Sequence, residues 1–193
     1  MHREYVDAFF KDGSLRLSSF ESFCKHPDET RRDSEEGKAA MKIVSPKSNL
    51  SAIAFNGQEA YVLCGSMTEV HPGDGYAGIR IKDTLAFSAT LARQIPGFIG
   101  GTEGPCIYRK NTFYEATDDH SFSPPEDGED PERWMERQNS VVGNHMRNKF
   151  FIKQARFAAE SEYRMVWFCD GTPRPFIDIK CPKAIQLCER VGT

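Results

Sequence analysis

The amino-acid sequence predicts a single mixed α+β domain that covers residues 1–193. Three observations support this fold class. The length is that of one ordinary domain, and no internal repeat or long Pro-, Gly- or Ser-rich linker divides the chain. Short apolar segments typical of β-strands are also interleaved with segments of helical spacing. The 14 Phe, 6 Tyr and 2 Trp residues supply large apolar side chains for a core.

The first half of the chain alternates between predicted helices and strands. Residues 4–11 carry apolar side chains at helical spacing and end just before Gly13, a typical helix stop. Leucines alternate with polar neighbours over 14–19, which predicts a strand. Asp83 is a typical N-cap residue and predicts a helix over 83–95. The remaining elements of this half are a helical turn over 19–26, capped by Ser19, and strands over 41–44, 50–55, 61–66 and 77–81.

The second half is predicted to contain a loop between two structured parts. Residues 105–116 have the pattern of a hairpin with its turn at Lys110 and Asn111. From Glu115 to Glu132 there are eight acidic residues, no Lys or Arg, and several prolines, so we expect a loop there. The elements after it are a helix over about 132–146, strands over 149–154, 161–168 and 175–180, and a short helix or frayed end from residue 181.

Composition argues against several classes of protein. The net charge of −3 and the pI near 6.0 argue against a protein that coats nucleic acid, but not against an enzyme that contacts it in one cleft. No apolar run approaches the length of about 18 residues that a transmembrane helix needs. The N-terminal residues are charged and lack the apolar stretch of a signal peptide, so we expect a cytoplasmic protein without membrane contact. The six cysteines include no C-x-x-C pair, so we expect reduced thiols and no metal site.

The most informative segment for chemistry is the strand predicted over 161–168 and the residues before it. Its alternation places Tyr163, Met165 and Trp167 on one face, so Glu160 and Glu162 project together from the opposite face. Two neighbouring carboxylates tend to raise one carboxyl pKa, and they suit a site that stabilises a cation or accepts a proton. The alternative is an exposed edge strand in which Arg164 balances the charge of Glu162.

Two further positions are candidates for ligand binding. Ser66 and Thr68 follow a predicted buried strand beside Gly65, where small hydroxyls can hydrogen-bond a sugar or a phosphate. Arg16 projects from the polar face of the first strand, where a guanidinium can hold a phosphate or carboxylate. Ordinary surface roles, a polar turn and an exposed arginine, remain the alternatives. The chain has no Rossmann, P-loop or nucleophile-elbow motif.

The order of these residues resembles that of the mono-ADP-ribosyltransferases. An arginine on an early strand, a Ser-x-Thr after a later strand and a Glu-x-Glu near a late strand follow one another, as in the Arg–Ser–Glu group of that family. The wider sequence resembles a family of uncharacterised microbial proteins thought to share the fold. The matching stretches are residues 9–23, 31–37, 61–66 and 151–167. The chain has Ser66-Met67-Thr68 where the family usually has Ser-Thr-Ser, and Arg3 is a second candidate for the first arginine.

The resemblance implies a split β-sandwich that binds NAD as co-substrate and needs no metal. It implies that Glu162 binds the nicotinamide ribose and stabilises the oxocarbenium-like transition state, and that Glu160 orients or deprotonates the acceptor. Arg16 or Arg3 would hold the pyrophosphate, and Ser66 would support the ribose or Glu162. The acceptor would be a macromolecule, either RNA, DNA or a protein. By analogy the protein is a toxin or phage-defence effector that an inhibitory antitoxin partner controls.

Two other interpretations stay open. In the first, the fold is a non-catalytic binding module and the two glutamates only balance basic side chains. In the second, the protein acts on nucleic acid, because residues 133–164 contain seven Lys or Arg against three Glu. Aromatic residues interleave with these cations, as base-stacking surfaces often do. They are Phe150, Phe151, Phe157 and Tyr163, and packing in the core is the alternative role for them.

Overall fold

A computed structural model describes residues 1–25, 38–44, 53–56, 60–69, 73–110, 113–117, 125–146 and 150–192. Within these ranges the protein has a mixed α+β fold with a central antiparallel sheet and several helices, which confirms the predicted fold class. The predicted match over residues 31–37 lies outside the described residues. None of the described helices combines the length and the apolar character that a membrane span requires.

The described residues form five α-helices and one short 3-10 helix. The α-helices are α1 (Arg3–Asp12), α2 (Phe20–Cys24), α3 (Thr84–Ala92), α4 (Pro131–Met146) and α5 (Pro182–Ile185). The 3-10 helix spans Ala155–Glu160. Helix α1 ends at Gly13, whose left-handed φ of 77° lets its N–H bond the carbonyl of Phe9, as predicted. The side chain of Asp83 caps α3 by accepting a hydrogen bond from the N–H of Ala86, also as predicted.

Twelve strands lie in the described parts of the chain. They are β1 (Ser14–Ser19), β2 (Lys38–Val44), β3 (Ile53–Asn56), β4 (Ala60–Ser66), β5 (Gly78–Ile81), β6 (Phe98–Pro105), β7 (Ile107–Arg109), β8 (Phe113–Thr117), β9 (Ile152–Gln154), β10 (Glu162–Cys169), β11 (Phe176–Lys180) and β12 (Cys188–Val191).

The central sheet has five strands in the order β11-β1-β4-β10-β6, and every neighbouring pair is antiparallel. Strand β1 near the N-terminus therefore lies beside β11 near the C-terminus. Three smaller sheets accompany it: β12 with β5, β3 with β2 and β8, and β7 with β9. The order β1-β4-β10 makes neighbours of the three strands that carry or adjoin Arg16, Ser66 and Glu162.

Strand β10 is buried on both of its faces. Trp167 and Met165 pack into one apolar cluster, together with Phe9 of α1 and Phe87 of α3. Val166, on the opposite face, packs into a second cluster with aromatic side chains that include Phe20, Phe150 and Phe151. A strand enclosed in this way forces its polar side chains to find partners inside the protein.

One element prediction is wrong. Residues 105–116 do not form a hairpin, because β7 pairs in parallel with β9 and β8 pairs in parallel with β2. The segment from residue 181 begins with the short helix α5, one of its two predicted states, and continues into β12, a strand that was not predicted and that pairs with β5. Strand β6 was not predicted, since its sequence is rich in glycine. In each case the pairing joins segments that are far apart in the chain.

Candidate functional site

The two predicted carboxylates meet at one end of the central sheet. Strand β10 begins at Glu162, and the 3-10 helix before it ends at Glu160. Between them Ser161 adopts a left-handed backbone conformation with φ of 44°, which is uncommon for a residue other than glycine. This turn lets a helix-end side chain and a strand side chain approach one cation, Lys153 of β9. We call Lys153, Glu160, Glu162 and Arg164 the carboxylate corner.

Direct ion pairs connect the four side chains of the corner. The Lys153 ammonium lies 2.7 Å from Oε2 of Glu160 and also hydrogen-bonds Oε2 of Glu162. The Nε of Arg164 donates to Oε1 of Glu162 at 2.5 Å, and its Nη1 donates to the carbonyl of Phe150 at 2.7 Å. The side chain of Glu162 is only 6% exposed, whereas that of Glu160 is 50% exposed. Glu160 is therefore the carboxylate that faces solvent.

Two cations hold the Glu162 carboxyl in its charged form. Burial raises the pKa of the Glu162 carboxyl, but the charge of Arg164 and the hydrogen bond from Lys153 outweigh it and lower the pKa from 4.5 to about 2. The pair of neighbouring carboxylates predicted a raised pKa for one of the two, and Glu162 is not that carboxyl. Glu162 is ionised at every physiological pH.

Ser66 lies beside the carboxylate corner. It lies directly opposite Glu162 in the antiparallel pairing of β4 with β10. Its hydroxyl donates to the backbone carbonyl of Glu160 at 3.0 Å and lies 2.9 Å from the hydroxyl of Thr68. The backbone N–H of Met67 bonds the carbonyl of Ser161 at 2.8 Å. These hydrogen bonds thus connect the end of β4 to the turn between Glu160 and Glu162.

Ser66 and Thr68 also line a cavity of about 490 Å³. This volume lies in the range of small-molecule sites. The wall includes residues of the central sheet and of the β5–β12 sheet, among them Tyr163 and Met165 on one side and Ile79 and Arg80 on the other. Tyr163 and Met165 project from the face of β10 opposite to Glu162. The cavity and the Glu162 carboxylate therefore lie on different faces of the sheet and approach each other at Ser66.

The Glu103 carboxylate accepts hydrogen bonds from hydroxyl groups at and near the cavity wall. The Thr84 hydroxyl donates to Glu103 at 2.9 Å and lies 3.5 Å from the hydroxyl of Tyr163. Ser88 donates to the other oxygen of Glu103 at 2.9 Å. Burial, together with the nearby Glu103 charge, raises the pKa of Tyr163, so its hydroxyl stays protonated and can donate a hydrogen bond.

The two candidate arginines lie apart from the corner. Arg16 forms a two-point ion pair with Asp178 of β11, with an Nε–Oδ1 distance of 2.7 Å, and its guanidinium lies 4.2 Å from the centre of the Phe176 ring. It points toward β11, whereas β4 lies on the other side of β1. Arg3 is exposed at the start of α1, and its N–H bonds the carbonyl of Gly75.

Arg16 nevertheless lines a second cavity, of about 750 Å³, that includes Leu15 of β1 and Leu63 of β4. Strand β1 pairs with β4 only through Ser18 with Val62 and Ser19 with Tyr61. Because Leu63 and Gly65 follow one another on the same face of β4, this cavity and the cavity beside Ser66 lie next to each other along that strand.

Two residues that hydrogen-bond the glutamates were not identified from the sequence. Lys153 was noted only as part of a basic segment, although it is the cation shared by both carboxylates. Tyr108 was not noted at all, yet its hydroxyl accepts a hydrogen bond from the N–H of Glu162 at 2.6 Å. Both residues are brought in by the parallel pairing of β7 with β9, which has no local sequence signal. Phe150 and Phe151 are buried in the core and cannot stack on bases.

Within the described residues, no cluster of three or more His, Cys, Asp or Glu side chains is arranged to hold a metal ion. The six cysteines all fall in described parts of the chain and are thiols, four of them buried. Comparisons of the chain with models of known protein families, with functionally curated proteins and with solved structures found no match.

Proposed function

We propose that this protein transfers ADP-ribose from NAD to a macromolecular acceptor. The observation that carries the proposal is the strand order β1-β4-β10, in which Ser66 faces Glu162 across paired strands and Arg16 lies on the next strand. The resemblance to mono-ADP-ribosyltransferases rests on the order of these three residues along the chain, and strand pairing supports it by placing Ser66 opposite Glu162 and Arg16 one strand away. We include the split β-sandwich fold of that family and a cytoplasmic location in the proposal.

The chemistry breaks one bond and forms one bond at the same carbon. The bond between C1′ of the ribose and the nicotinamide nitrogen breaks, and its electron pair leaves with neutral nicotinamide. Positive charge develops on the ribose ring as this happens, and a carboxylate stabilises it. An acceptor oxygen or nitrogen then bonds C1′ and loses its proton.

The corner offers suitable groups for these steps. Glu162 is ionised at neutral pH because its pKa is about 2, so it carries the negative charge that an oxocarbenium-like ribose needs. Glu160 is the half-exposed carboxylate and can take the proton of the acceptor. The cavity beside Ser66 and the cavity beside Arg16 would hold the two halves of NAD, with Tyr163 as a hydrogen-bond donor. Because Tyr163 and Glu162 project from opposite faces of β10, the nicotinamide ribose would have to pass the end of β4 at Ser66 to reach Glu162.

One condition follows from the burial of Glu162. Lys153 now occupies both carboxylates, so the ribose reaches Glu162 only after the ammonium has turned away. Lys153 contacts the Phe157 ring at 4.8 Å, which offers the released ammonium a cation–π partner. NAD binding would have to supply the free energy for this exchange.

Nicotinamide release from NAD tests the proposal. Glu160→Gln and Glu162→Gln should each lower the rate by roughly 10²–10⁴-fold, since each removes one carboxylate from the reaction. Glu189→Gln, on the exposed surface of β12, is the matched control and should keep the wild-type rate. Circular dichroism verifies that each variant is folded. If Glu160→Gln and Glu162→Gln both release nicotinamide at the wild-type rate, as the control should, the corner is not the reacting site.

A second candidate function is a non-catalytic binding module. The observation that favours it is the enclosure of Glu162, which is paired with Lys153 and Arg164 in the manner of a structural ion network. This alternative predicts that NAD at millimolar concentration leaves the melting temperature unchanged. Binding to the folded state would raise the melting temperature.

The proposed activity also implies a biological role and an inhibitor. An enzyme that modifies macromolecules of the cell that makes it needs restraint, so we include an inhibitory partner and a role as a toxin or phage-defence effector. Co-purification of an inhibitor encoded beside the protein, and loss of toxicity in Glu160→Gln cells, would support this role. Growth that is unaffected by expression of the wild-type chain would count against it.

A further inference from the structure

A third cavity, of about 350 Å³, lies between the end of α3 and the start of α5. We call it the α3–α5 cavity. Arg93 and Gln94 line it from the α3 side, and Lys183 and Gln186 line it from the α5 side. It shares no lining residue with the cavities beside Ser66 and Arg16. It is therefore a separate cavity, with a volume at the lower end of the small-molecule range.

The wall of the α3–α5 cavity is positively charged. Arg93 and Lys183 are both exposed, and in the part of the chain that the structure describes neither side chain forms an ion pair or a hydrogen bond. None of the described residues that line the cavity is Asp or Glu. Two cations from separate segments therefore face this cavity without a carboxylate among its described lining residues.

The carboxylates nearest to Lys183 in sequence face other cations. They are Asp178, which forms the two-point ion pair with Arg16, and Glu189, which lies opposite Arg80 in the pairing of β12 with β5. Neither side chain lines the α3–α5 cavity. The charge of Lys183 is therefore left for a ligand.

The carboxylates nearest to Arg93 in sequence lie toward the other end of α3. Asp83 caps the start of that helix. Glu103 accepts hydrogen bonds from Thr84 and Ser88, which belong to the first and second turns of the helix. Arg93 follows the last residue of α3, so the length of the helix separates it from these groups.

One more carboxylate comes close to the cavity through the backbone. Cys181, which lines the cavity, donates its N–H to the carbonyl of Gly13 at 2.9 Å, and Asp12 precedes Gly13. Lys180 binds the Asp12 carboxylate at 2.7 Å, and the Ser14 hydroxyl also donates to it. Asp12 therefore balances Lys180 and not the two cations of the cavity.

Backbone carbonyls at the end of α3 are also occupied. The carbonyl of Leu91 accepts the N–H of Gln94 at 2.8 Å, and the carbonyl of Thr90 accepts a hydrogen bond from the Cys181 thiol at 3.7 Å. Carbonyls at a helix end carry partial negative charge, so a cation such as Arg93 also stabilises the helix. A binding measurement, and not stability alone, separates that role from ligand binding.

The hydrogen-bond donors at the wall suit a phosphate group. The Arg93 guanidinium offers a fork of N–H groups, Lys183 offers an ammonium, and the side-chain amides of Gln94 and Gln186 can add neutral donors. A phosphate monoester carries nearly two negative charges and three terminal oxygens, which match two cations. A simple carboxylate carries one charge and two oxygens and would leave one cation unpaired.

We propose that the α3–α5 cavity binds a small phosphate-bearing molecule. The volume of the cavity favours a small compound over a polymer. Binding here does not depend on the proposed function, because neither of the cavities assigned to NAD includes these residues.

Isothermal titration calorimetry with inorganic pyrophosphate, ribose 5-phosphate and AMP measures the binding, with acetate as the carboxylate probe. We expect at least one of the three phosphate compounds to bind and acetate not to bind. The compound that binds most tightly identifies the source of the phosphate as inorganic, a sugar phosphate or a nucleotide. Raising the salt concentration from about 50 to about 200 mM should weaken binding, because the two cations are exposed and screened.

The Arg93→Gln/Lys183→Gln variant should weaken binding by at least about 10-fold, because it removes both charge-assisted contacts. Lys183→Gln alone keeps the cation at the end of α3 and should also weaken binding, so the site can be tested even if the double variant does not fold. The matched control is Arg174→Gln/Lys82→Gln, which removes two exposed cations elsewhere and should bind like wild type.

Three results would overturn the site: no binding of any phosphate compound at millimolar concentration, binding of acetate as tight as that of phosphate compounds, or equal losses in the two double variants. AMP can also enter the cavity beside Arg16, so the loss in the Arg93→Gln/Lys183→Gln variant is what assigns AMP binding to the α3–α5 cavity. Nicotinamide release from NAD is measured separately and does not bear on this site.

Discussion

At the scale of single residues, Glu162 shows what the sequence can and cannot predict. The spacing of Glu160 and Glu162 identified the pair, and strand alternation placed Glu162 and Arg164 on one face. The charge environment could not be predicted, because Lys153 reaches the pair from β9 through a parallel pairing of distant segments. Burial and two cations then give the carboxyl a lowered pKa instead of a raised one.

The lowered pKa of Glu162 predicts how stability depends on pH. Because the folded-state pKa of about 2 lies below the ordinary value of 4.5, Glu162 stabilises the folded protein above about pH 5, and this contribution is lost as the pH falls toward 2. The full shift corresponds to about 3 kcal/mol. We expect the difference in unfolding free energy between wild type and Glu162→Gln to fall by about 2 kcal/mol from about pH 6 to about pH 3.

Urea denaturation of both proteins at several pH values measures this difference. A difference that is the same at both ends of the pH range would show that the ion pairs do not hold the carboxyl in its charged form. If Glu162→Gln does not fold, the pKa of Glu162 can be followed in wild type by NMR of its side-chain carboxyl carbon. A value near 4.5 there would contradict the account as well.

At the scale of elements, local signals predicted elements well and pairing partners poorly. Strand β1 was predicted with its observed bounds, α1 within one residue and α3 within three residues, because alternation, a stop at Gly13 and the Asp83 cap are encoded locally. Strand β6 was missed because it contains glycines that strands usually avoid. At Gly101 a Cβ atom would lie 2.8 Å from the carbonyl oxygen of Val166 on β10, so the close approach of these strands excludes a side chain.

The N-cap positions of α3 and α2 give a second prediction, which concerns the stability of the protein. Asp83→Ala should destabilise the protein by about 1 kcal/mol, because it removes the hydrogen bond to the N–H of Ala86 at 2.9 Å. Ser19 also precedes a helix, but its side chain makes no capping bond and its hydroxyl is buried without a partner. Ser19→Ala should therefore be neutral or stabilising.

Thermal and urea denaturation of the two variants tests this contrast directly. Both substitutions shorten a residue at the start of a helix, so each serves as the control for the other. Equal destabilisation of the two variants would contradict the contacts described at both positions. The sequence alone assigned a cap to both residues and could not separate them, since capping depends on the side-chain conformation.

At the scale of the whole molecule, the net charge of −3 hides an uneven distribution. The acidic residues between Glu115 and Glu132 offset a basic segment over 133–164, which includes the carboxylate corner. The sequence showed this asymmetry. It could not show that Arg109 and Lys110 join the segment, because β7 reaches β9 only in the folded protein.

Strand pairing in the central sheet brings residues that are distant in sequence into one candidate site. Its order β11-β1-β4-β10-β6 makes neighbours of strands from the beginning, middle and end of the chain. Ser66 and Glu162 meet by this pairing, and Arg16 lies one strand away with its guanidinium on Asp178. That ion pair is exposed, so its exchange for a pyrophosphate, which the proposed function requires, would cost little free energy.

Transfer of label from NAD to cellular macromolecules is the measurement that tests the central proposal most directly. The protein is incubated with RNA, DNA and protein fractions and with NAD labelled either in the adenylate phosphate or in the nicotinamide ring. We predict that the adenylate label enters a macromolecular fraction, that the nicotinamide label is released as free nicotinamide, and that Glu160→Gln abolishes both. Macromolecules that remain unlabelled while NAD stays intact would contradict the assignment of this protein as an ADP-ribosyltransferase.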